Sequence, residues 1–258
     1  MEGMRIKAPP GWVMSLRPPS LVRLRLFCFP HVGGGAAPFA RWVDKVPSDV
    51  QVCPVLLPGR EVRFGERMPE SLTALVEAIA ANIQFGDKPF AFFGHSMGGA
   101  VAFDLARLLR RQGRTGPVLL IASSARAPQL GHRTLRLHSL HGEKLAEELR
   151  VYGTPEEVLA NQELMELFIP VIQTDSRLLY EHQYFPETPL PIPIVSYVAE
   201  DDPTVLLESV GGWREQTSAR FTVRTFSGGH HYLHPGSKVF YSALAEDLSS
   251  AMTGSGPG

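Results

Sequence analysis

The run Phe90-Ala91-Phe92-Phe93-Gly94-His95-Ser96-Met97-Gly98-Gly99-Ala100 sets a serine in the pattern GxSxG, behind an apolar stretch and ahead of a helix-compatible one, Ala100 to Leu109. A serine at the tip of a tight strand-to-helix turn carries its hydroxyl on strained backbone, exposed, at a helix N-terminus whose unpaired N–H groups favour developing negative charge. Gly94 and Gly98 are expected where neighbouring chain leaves no room for a Cβ. A hydroxyl near neutral pH needs a base to become a nucleophile, and the base needs a carboxylate to hold its tautomer. Two later segments offer both: Ala199-Glu200-Asp201-Asp202-Pro203 and Ser227-Gly228-Gly229-His230-His231-Tyr232, each directly after an apolar run. Serine, acid, histidine is the chain order this chemistry takes on a strand–turn–helix frame. Asp202 is read as the acid, because Pro203 fixes the turn behind it, and His230 as the base, because Gly228 and Gly229 let the backbone bend beneath it. Asp201 and His231 are read as loop or cap residues.

Nucleophilic acyl chemistry also needs donors for an oxyanion. Phe29-Pro30-His31-Val32-Gly33-Gly34-Gly35-Ala36 is neither a GxGxxG dinucleotide turn nor a P-loop, since it has no lysine. In a hydrolase the loop after an early strand contributes one backbone N–H and the residue after the nucleophile the other, which assigns Val32 and Met97. No cofactor is expected. His230, His231 and His234 cluster, but Gly229 before them and Pro235-Gly236 after them indicate a loop, and no glutamate lies between as a zincin requires, so no metal site is expected. Arg60, Glu61 and Arg63 are read as a charged loop held by mutual pairing, with a substrate clamp as the competing reading.

These residues need elements to position them. Strand-like apolar runs recur at Leu21 to Phe29, Val50 to Leu57, Pro89 to Phe93, Val118 to Ala122, Ile192 to Val198 and Phe221 to Phe226, each apolar enough for a central strand. Helical spacing lies between them, as in Leu72, Leu75, Val76, Ile79 and Ile83, and in Val239, Phe240, Leu244 and Leu248. The alternation predicts an α/β fold, a mostly parallel sheet with helices on both faces. From 127 to 191 it stops: only helical patterning appears, at Glu143 to Tyr152, Pro155 to Ala160 and Gln162 to Tyr180. This insertion is either a mobile lid, with Leu145, Leu149, Leu164, Leu167, Phe168, Leu178 and Leu179 facing a channel, or an ordinary layer packed on the sheet. Residues 1–20 and 249–258 are expected to be loose tails around one domain, 21–248.

The chain has 258 residues, with 25 Lys and Arg against 26 Asp and Glu, so no global charge recommends nucleic acid. Cys28 and Cys53 are its two cysteines, both in apolar runs, which excludes a disulfide framework. No apolar stretch has the length of a membrane span or a signal-peptide core, and a cytoplasmic protein is expected.

The chain resembles the type II thioesterases that serve polyketide, nonribosomal peptide and fatty acid synthases, within the α/β-hydrolase fold. The resemblance rests on Phe29-Pro30-His31-Val32-Gly33-Gly34, on Leu57-Pro58-Gly59-Arg60-Glu61-Val62-Arg63-Phe64-Gly65-Glu66, on Gly94-His95-Ser96-Met97-Gly98-Gly99, on Asp201-Asp202-Pro203 with Trp213 downstream, and on Gly228-Gly229-His230. It implies Ser96, Asp202 and His230 as a triad, Val32 and Met97 as oxyanion donors, the insertion as a lid over an acyl channel, and an acyl or peptidyl carrier protein with its phosphopantetheine arm as partner. Val32 stands where Ala is common in that family, and Ala199 where Gly is usual. Two other readings compete: a free-standing carboxylesterase or lipase, and a non-catalytic binding homologue. An acidic carrier calls for a local basic patch, expected at Arg126, Arg133 and Arg136; Arg107, Arg110, Arg111 and Arg114 are read as a solvated face.

Overall fold

Residues 11–132, 136–233 and 236–254 are described by the computed structural model. Its elements in chain order are β1 (Leu24–Phe29), α1 (Ala37–Ala40), β2 (Val50–Pro54), α2 (Leu72–Asn82), β3 (Phe90–His95), α3 (Met97–Arg111), β4 (Leu119–Ser123), α4 (Gly142–Val151), α5 (Glu156–Leu159), α6 (Gln162–Glu181), β5 (Ile194–Ala199), α7 (Leu207–Gly211), β6 (Phe221–Phe226) and α8 (Lys238–Thr253). Successive strand side chains point to opposite faces, so each buried strand feeds two cores. In β1, Phe27 and Phe29 join α2 and α3 on one face, while Leu24, Leu26 and Cys28 join α1 and α8 on the other. In β3, Phe90 and Phe92 divide from Ala91 and Phe93 in the same way.

The six strands run in the order β2-β1-β3-β4-β5-β6, and every neighbouring pair is parallel. The chain leaves β1 toward β2 and then returns to place β3 on the other side of β1, which makes the C-terminal ends of β1 and β3 the topological switch point, where α/β sheets open a crevice for ligands. The expected α/β class is what the chain forms. β2 and β6, expected to be central, are the two edges. β6 shows it, with only Phe226 of its six residues buried.

Residues 12–14 and 249–253, within the segments read as tails, make regular contacts. Val13 makes an antiparallel bridge with Val55, the Met14 N–H donates to the Pro54 carbonyl at 2.8 Å, and the Leu56 N–H donates to the Trp12 carbonyl at 2.8 Å. An edge strand presents unpaired backbone groups, and residues 12–14 satisfy them on β2. At the other end α8 continues past 248 to Thr253, because Ala251 and Met252 still find apolar surface to cover.

The insertion carries α4, α5 and α6 close to their expected positions, then runs without helix from 182 to 191, where Leu190 makes a parallel bridge with Thr217. Leu145, Leu149, Leu178 and Leu179 are buried, whereas Leu167 and Phe168 stay exposed at 49% and 41%. No helix among the described residues is long and apolar enough to cross a membrane.

The arginines of α3 are not a solvated face. Arg107 is buried, and Arg107, Arg110 and Arg111 all pair with Glu187, at 2.7, 2.9 and 2.7 Å. Arg107 and Arg110 also donate to the carbonyls of Phe185, Thr188 and Pro189, so the helix end clamps the chain that leads from the insertion into β5. Spacing along one helix does not show that a carboxylate 76 residues away turns back onto it. Glu187→Gln should therefore cost about 1–3 kcal/mol, because a buried guanidinium loses its main countercharge. Urea unfolding at unchanged m-value measures this; a loss below about 0.5 kcal/mol would mean that the carbonyl contacts suffice.

Candidate active site

Ser96 sits between β3 and α3 with φ 54° and ψ −116°, a conformation strained for a residue with a Cβ. Two glycines explain how the turn closes: a Cβ on Gly94 would lie 2.1 Å from the Gly98 carbonyl oxygen, and one on Gly98 would lie 2.1 Å from that of Phe29. The Ser96 N–H donates to the Ser123 carbonyl at 2.8 Å, tying the turn to the end of β4. Met97, the first residue of α3, brings a backbone N–H from the unpaired helix N-terminus to the same place.

Asp202 and His230 are brought together. Both are buried, and Oδ2 of Asp202 lies 2.8 Å from Nδ1 of His230. Thr204, two residues past Asp202, donates both its N–H (2.9 Å) and its hydroxyl (2.6 Å) to Oδ1 of Asp202, and its oxygen lies 3.0 Å from Nδ1 of His230. Burial pushes the Asp202 carboxyl up, but the hydrogen bond and charge of His230, with the two Thr204 bonds, outweigh it and bring it to about 2. Asp202 is therefore ionised above acid pH and able to hold the His230 tautomer that leaves Nε2 free to accept a proton. Asp201 is exposed, as a loop residue should be.

The loop after β1 forms a turn in which the Gly34 N–H donates to the His31 carbonyl at 2.9 Å and Gly33 takes φ +73°. Here the expected mutual pairing of Arg60, Glu61 and Arg63 gives way to three separate tasks. Glu61 caps α1, accepting the N–H groups of Ala36 at 2.9 Å and Ala37 at 2.8 Å. Arg63 pairs with Glu66 and lies over the ring of Trp12, 3.9 Å from its centroid. Arg60 crosses to Asp175 of α6, at 2.6 and 2.7 Å. Charges adjacent in sequence diverge here because a short helical turn, Glu61–Arg63, points successive side chains in different directions.

Ser96 and His230 open onto one cavity of about 170 Å³, whose wall includes Val32, Leu149, Tyr152, Val158, Met165, Phe168 and Ile172. Its floor is the strand ends and its roof is the helical insertion. Residues 24–250 match the Thioesterase domain family. The chain belongs to the thioesterase family. It is 38% identical over 225 residues to the gramicidin S biosynthesis protein GrsT of Aneurinibacillus migulanus, covering 86% of this chain and 88% of that one. RedJ, a thioesterase from the prodiginine pathway of Streptomyces coelicolor, superimposes with a TM-score of 0.81 at 31% identity over 93% of this chain and 92% of its own. BorB, a type II thioesterase from the borrelidin cluster, does so with 0.81 at 31% over 93% and 97%. The thioesterase thus shares the fold and reaction class of thioester hydrolases.

Beside the serine, the thioesterase gathers more histidine than its sequence suggested. His31, His95 and His231 bring side-chain nitrogens within 4.8 Å of one another, the one such group among the described residues with metal-ligand spacing. His234, weighed with His230 and His231, lies outside the described residues. Burial first, then the charges of neighbouring histidines, lowers both His31 and His95 well below the usual histidine range, so these rings are neutral. Nδ1 of His95 lies 2.9 Å from the Ser123 hydroxyl, which lies 2.6 Å from that of Tyr232. Tyr152, from the end of α4, meets the His230 ring edge-on at 5.2 Å. Tyr152 and Thr204 carried no sequence signal: each is an ordinary residue until the fold sets it beside His230. Of the arginines expected to form a basic patch, Arg126 is half-buried against a small cavity that Ser96 also lines, Arg136 is exposed with its guanidinium over the Tyr180 ring, and Arg133 lies outside the described residues.

Two predictions follow from this geometry. Gly98→Ala should abolish soluble folded protein or lower stability by about 3 kcal/mol or more, because the atoms its Cβ would strike, the Phe29 carbonyl and the Pro30 oxygen, are backbone; a normal melting curve would contradict the close packing. The second concerns pH. Burial, then His182, lowers His132 to about 4, and His95 is depressed for its own reasons above, so the unfolded chain binds more protons than the native one below about pH 6.5. Native stability should be fully present above that value and be lost as pH falls, each imidazole steepening the loss by up to about 1.4 kcal/mol per pH unit. His132→Gln should flatten the dependence between about pH 6.5 and about pH 4; an unchanged slope in urea titrations would show that its ring is charged in the native state.

Proposed function

We propose that this thioesterase is of type II and releases acyl groups from the phosphopantetheine arm of acyl or peptidyl carrier proteins, with Ser96 as nucleophile, His230 as base and Asp202 as its orienting acid. The observation that carries the reading is the shared cavity: Ser96 and a His230 held by buried Asp202 both line one apolar chamber, on a chain similar along most of its length to RedJ and BorB. Polyketide and peptide pathways are the setting this similarity supports.

In the first half-reaction Nε2 of His230 takes the Ser96 proton as Oγ attacks the thioester carbonyl carbon. The carbonyl oxygen becomes an oxyanion held by the N–H groups of Val32 and Met97. Collapse breaks the carbon–sulfur bond, the pantetheine thiol leaves with the proton from Nε2, and the acyl group stays on Ser96. Water repeats the sequence, giving its proton to His230, and a carboxylic acid departs as Ser96 recovers its hydrogen. Asp202 stays ionised throughout and stabilises the imidazolium. An apolar wall suits an acyl chain, and the chemistry asks nothing further of that chain.

A carboxylesterase could use the same groups, so substrate comparison decides. An acyl-pantetheine thioester should be turned over with at least about tenfold higher kcat/KM than the matched oxyester, and an acyl-carrier protein higher still; equal or reversed preference would favour the esterase. Ser96→Ala and His230→Ala should each lower kcat on the order of 10³-fold or more, with the double variant little worse, because the groups act as a unit. Wild-type turnover by Ser96→Ala would end the mechanism. Asp202→Asn should cripple the enzyme while Asp201→Asn stays near wild type, and a fluorophosphonate probe should label the latter at the normal rate.

A further inference from the structure

Arg60 and Asp175 stand 115 positions apart and are almost wholly withdrawn from solvent, their side chains 7% and 0% exposed. They form a two-bond fork; Nε of Arg60 donates to the Pro58 carbonyl at 3.3 Å, and the pair makes two further bonds to the loop after β1. Oδ2 of Asp175 accepts the Gly33 N–H at 2.8 Å, and Nη1 of Arg60 donates to the Gly34 carbonyl at 2.9 Å. Ile172, one turn before Asp175 on α6, lies so close that a Cβ on Gly33 would sit 2.6 Å from its Cγ1. One face of the insertion's long helix thus rests on the residue that follows Val32. A buried ion pair contributes little net stability over an apolar pair of similar volume, so stability alone does not account for this one.

The geometry does. The pair holds the Gly33 N–H and the Gly34 carbonyl, the groups that follow Val32, so either a shift of the loop that carries the Val32 N–H or a flip of the next peptide, which glycine makes accessible, breaks a bond to a buried charge. With Asp175 in place a flip would set the Val32 carbonyl against a buried carboxylate and leave that carboxylate without its N–H donor. We propose that Arg60 and Asp175 are positioning residues for the hydrolysis: they lock the Val32–Gly34 turn in the form that can meet an oxyanion and make that form depend on α6 being seated. The inference rests on the reading of Val32 as an oxyanion donor. It makes the helical insertion part of the catalytic scaffold as well as a wall of the acyl chamber.

Two double variants test it, each removing both charges so that no buried ion is left alone. Arg60→Met with Asp175→Leu deletes the acceptor for Gly33; Arg60→Met with Asp175→Asn keeps one. On an acyl-pantetheine thioester the first should lose about 30-fold or more in kcat with KM within about threefold, and the second should recover most of it. A trifluoromethyl ketone analogue, whose hydrated or serine-bound form carries the oxyanion, should bind the first variant more weakly by a similar factor, while the matching methyl ketone should not. Equal kcat in the two doubles, or a loss of kcat without loss of trifluoromethyl ketone affinity, would overturn the proposal. If the leucine double does not fold, Arg60→Met with Asp175→Ala carries the test, since it deletes the same acceptor with a smaller side chain: the same loss in kcat at constant KM is expected, and no loss overturns it. Normal turnover by Ser96→Ala would instead overturn the underlying reading of the site, whereas an inactive Ser96→Ala with fully active doubles would overturn only the role of the pair.

Discussion

The approach of Gly98 to the Phe29 carbonyl, too close for any side chain, is the constraint on which the site depends. It brings the first turn of α3 against the end of β1, and so places a helix N-terminus, the Ser96 turn and the loop after β1 within one small volume. Had a Cβ stood there, α3 would ride farther from the sheet, and its first turn would lie farther from the loop after β1. The sheet order does the rest, because β1 and β3 are neighbours at the switch point, and loops leaving them on the same side must converge.

Around that point charge is arranged by burial. Asp202 is kept anionic in a nearly dry place by three hydrogen bonds, while His31 and His95 are kept neutral by the same dryness. The combination leaves His230 as the ring with a carboxylate partner in a wall of imidazoles, and an anion is stabilised only where the fold supplies donors for it. Beneath the loop after β1 the buried carboxylate oxygens of Asp175 are likewise hydrogen-bonded, by Arg60 and by the Gly33 N–H.

Much of this was legible in the chain. The GxSxG run, the two acid–histidine loops and the six apolar runs are local patterns, and local patterns survive because a strand's period and a tight turn's glycines are imposed within a few residues. The order of serine, acid and histidine likewise followed from where each loop leaves the sheet. Asp202 could be preferred over Asp201 because a proline fixes the backbone immediately after it.

Tertiary structure alone decided the long-range pairings. Nothing near Arg60 in sequence names Asp175, and nothing near Arg107 names Glu187; both arginines read as surface charge until a distant carboxylate folds onto them. Thr204 and Tyr152 became neighbours of His230 only through the convergence of three separate segments. Residues 12–14 found order because β2 turned out to be an edge with unpaired backbone groups, a property of strand order and not of any residue in the strand. Chemistry that needs residue type and local turn geometry is written in the sequence, whereas the partner of a buried charge is set by which surfaces the whole chain brings together, because a charge withdrawn from water must find its counterion wherever the fold places one.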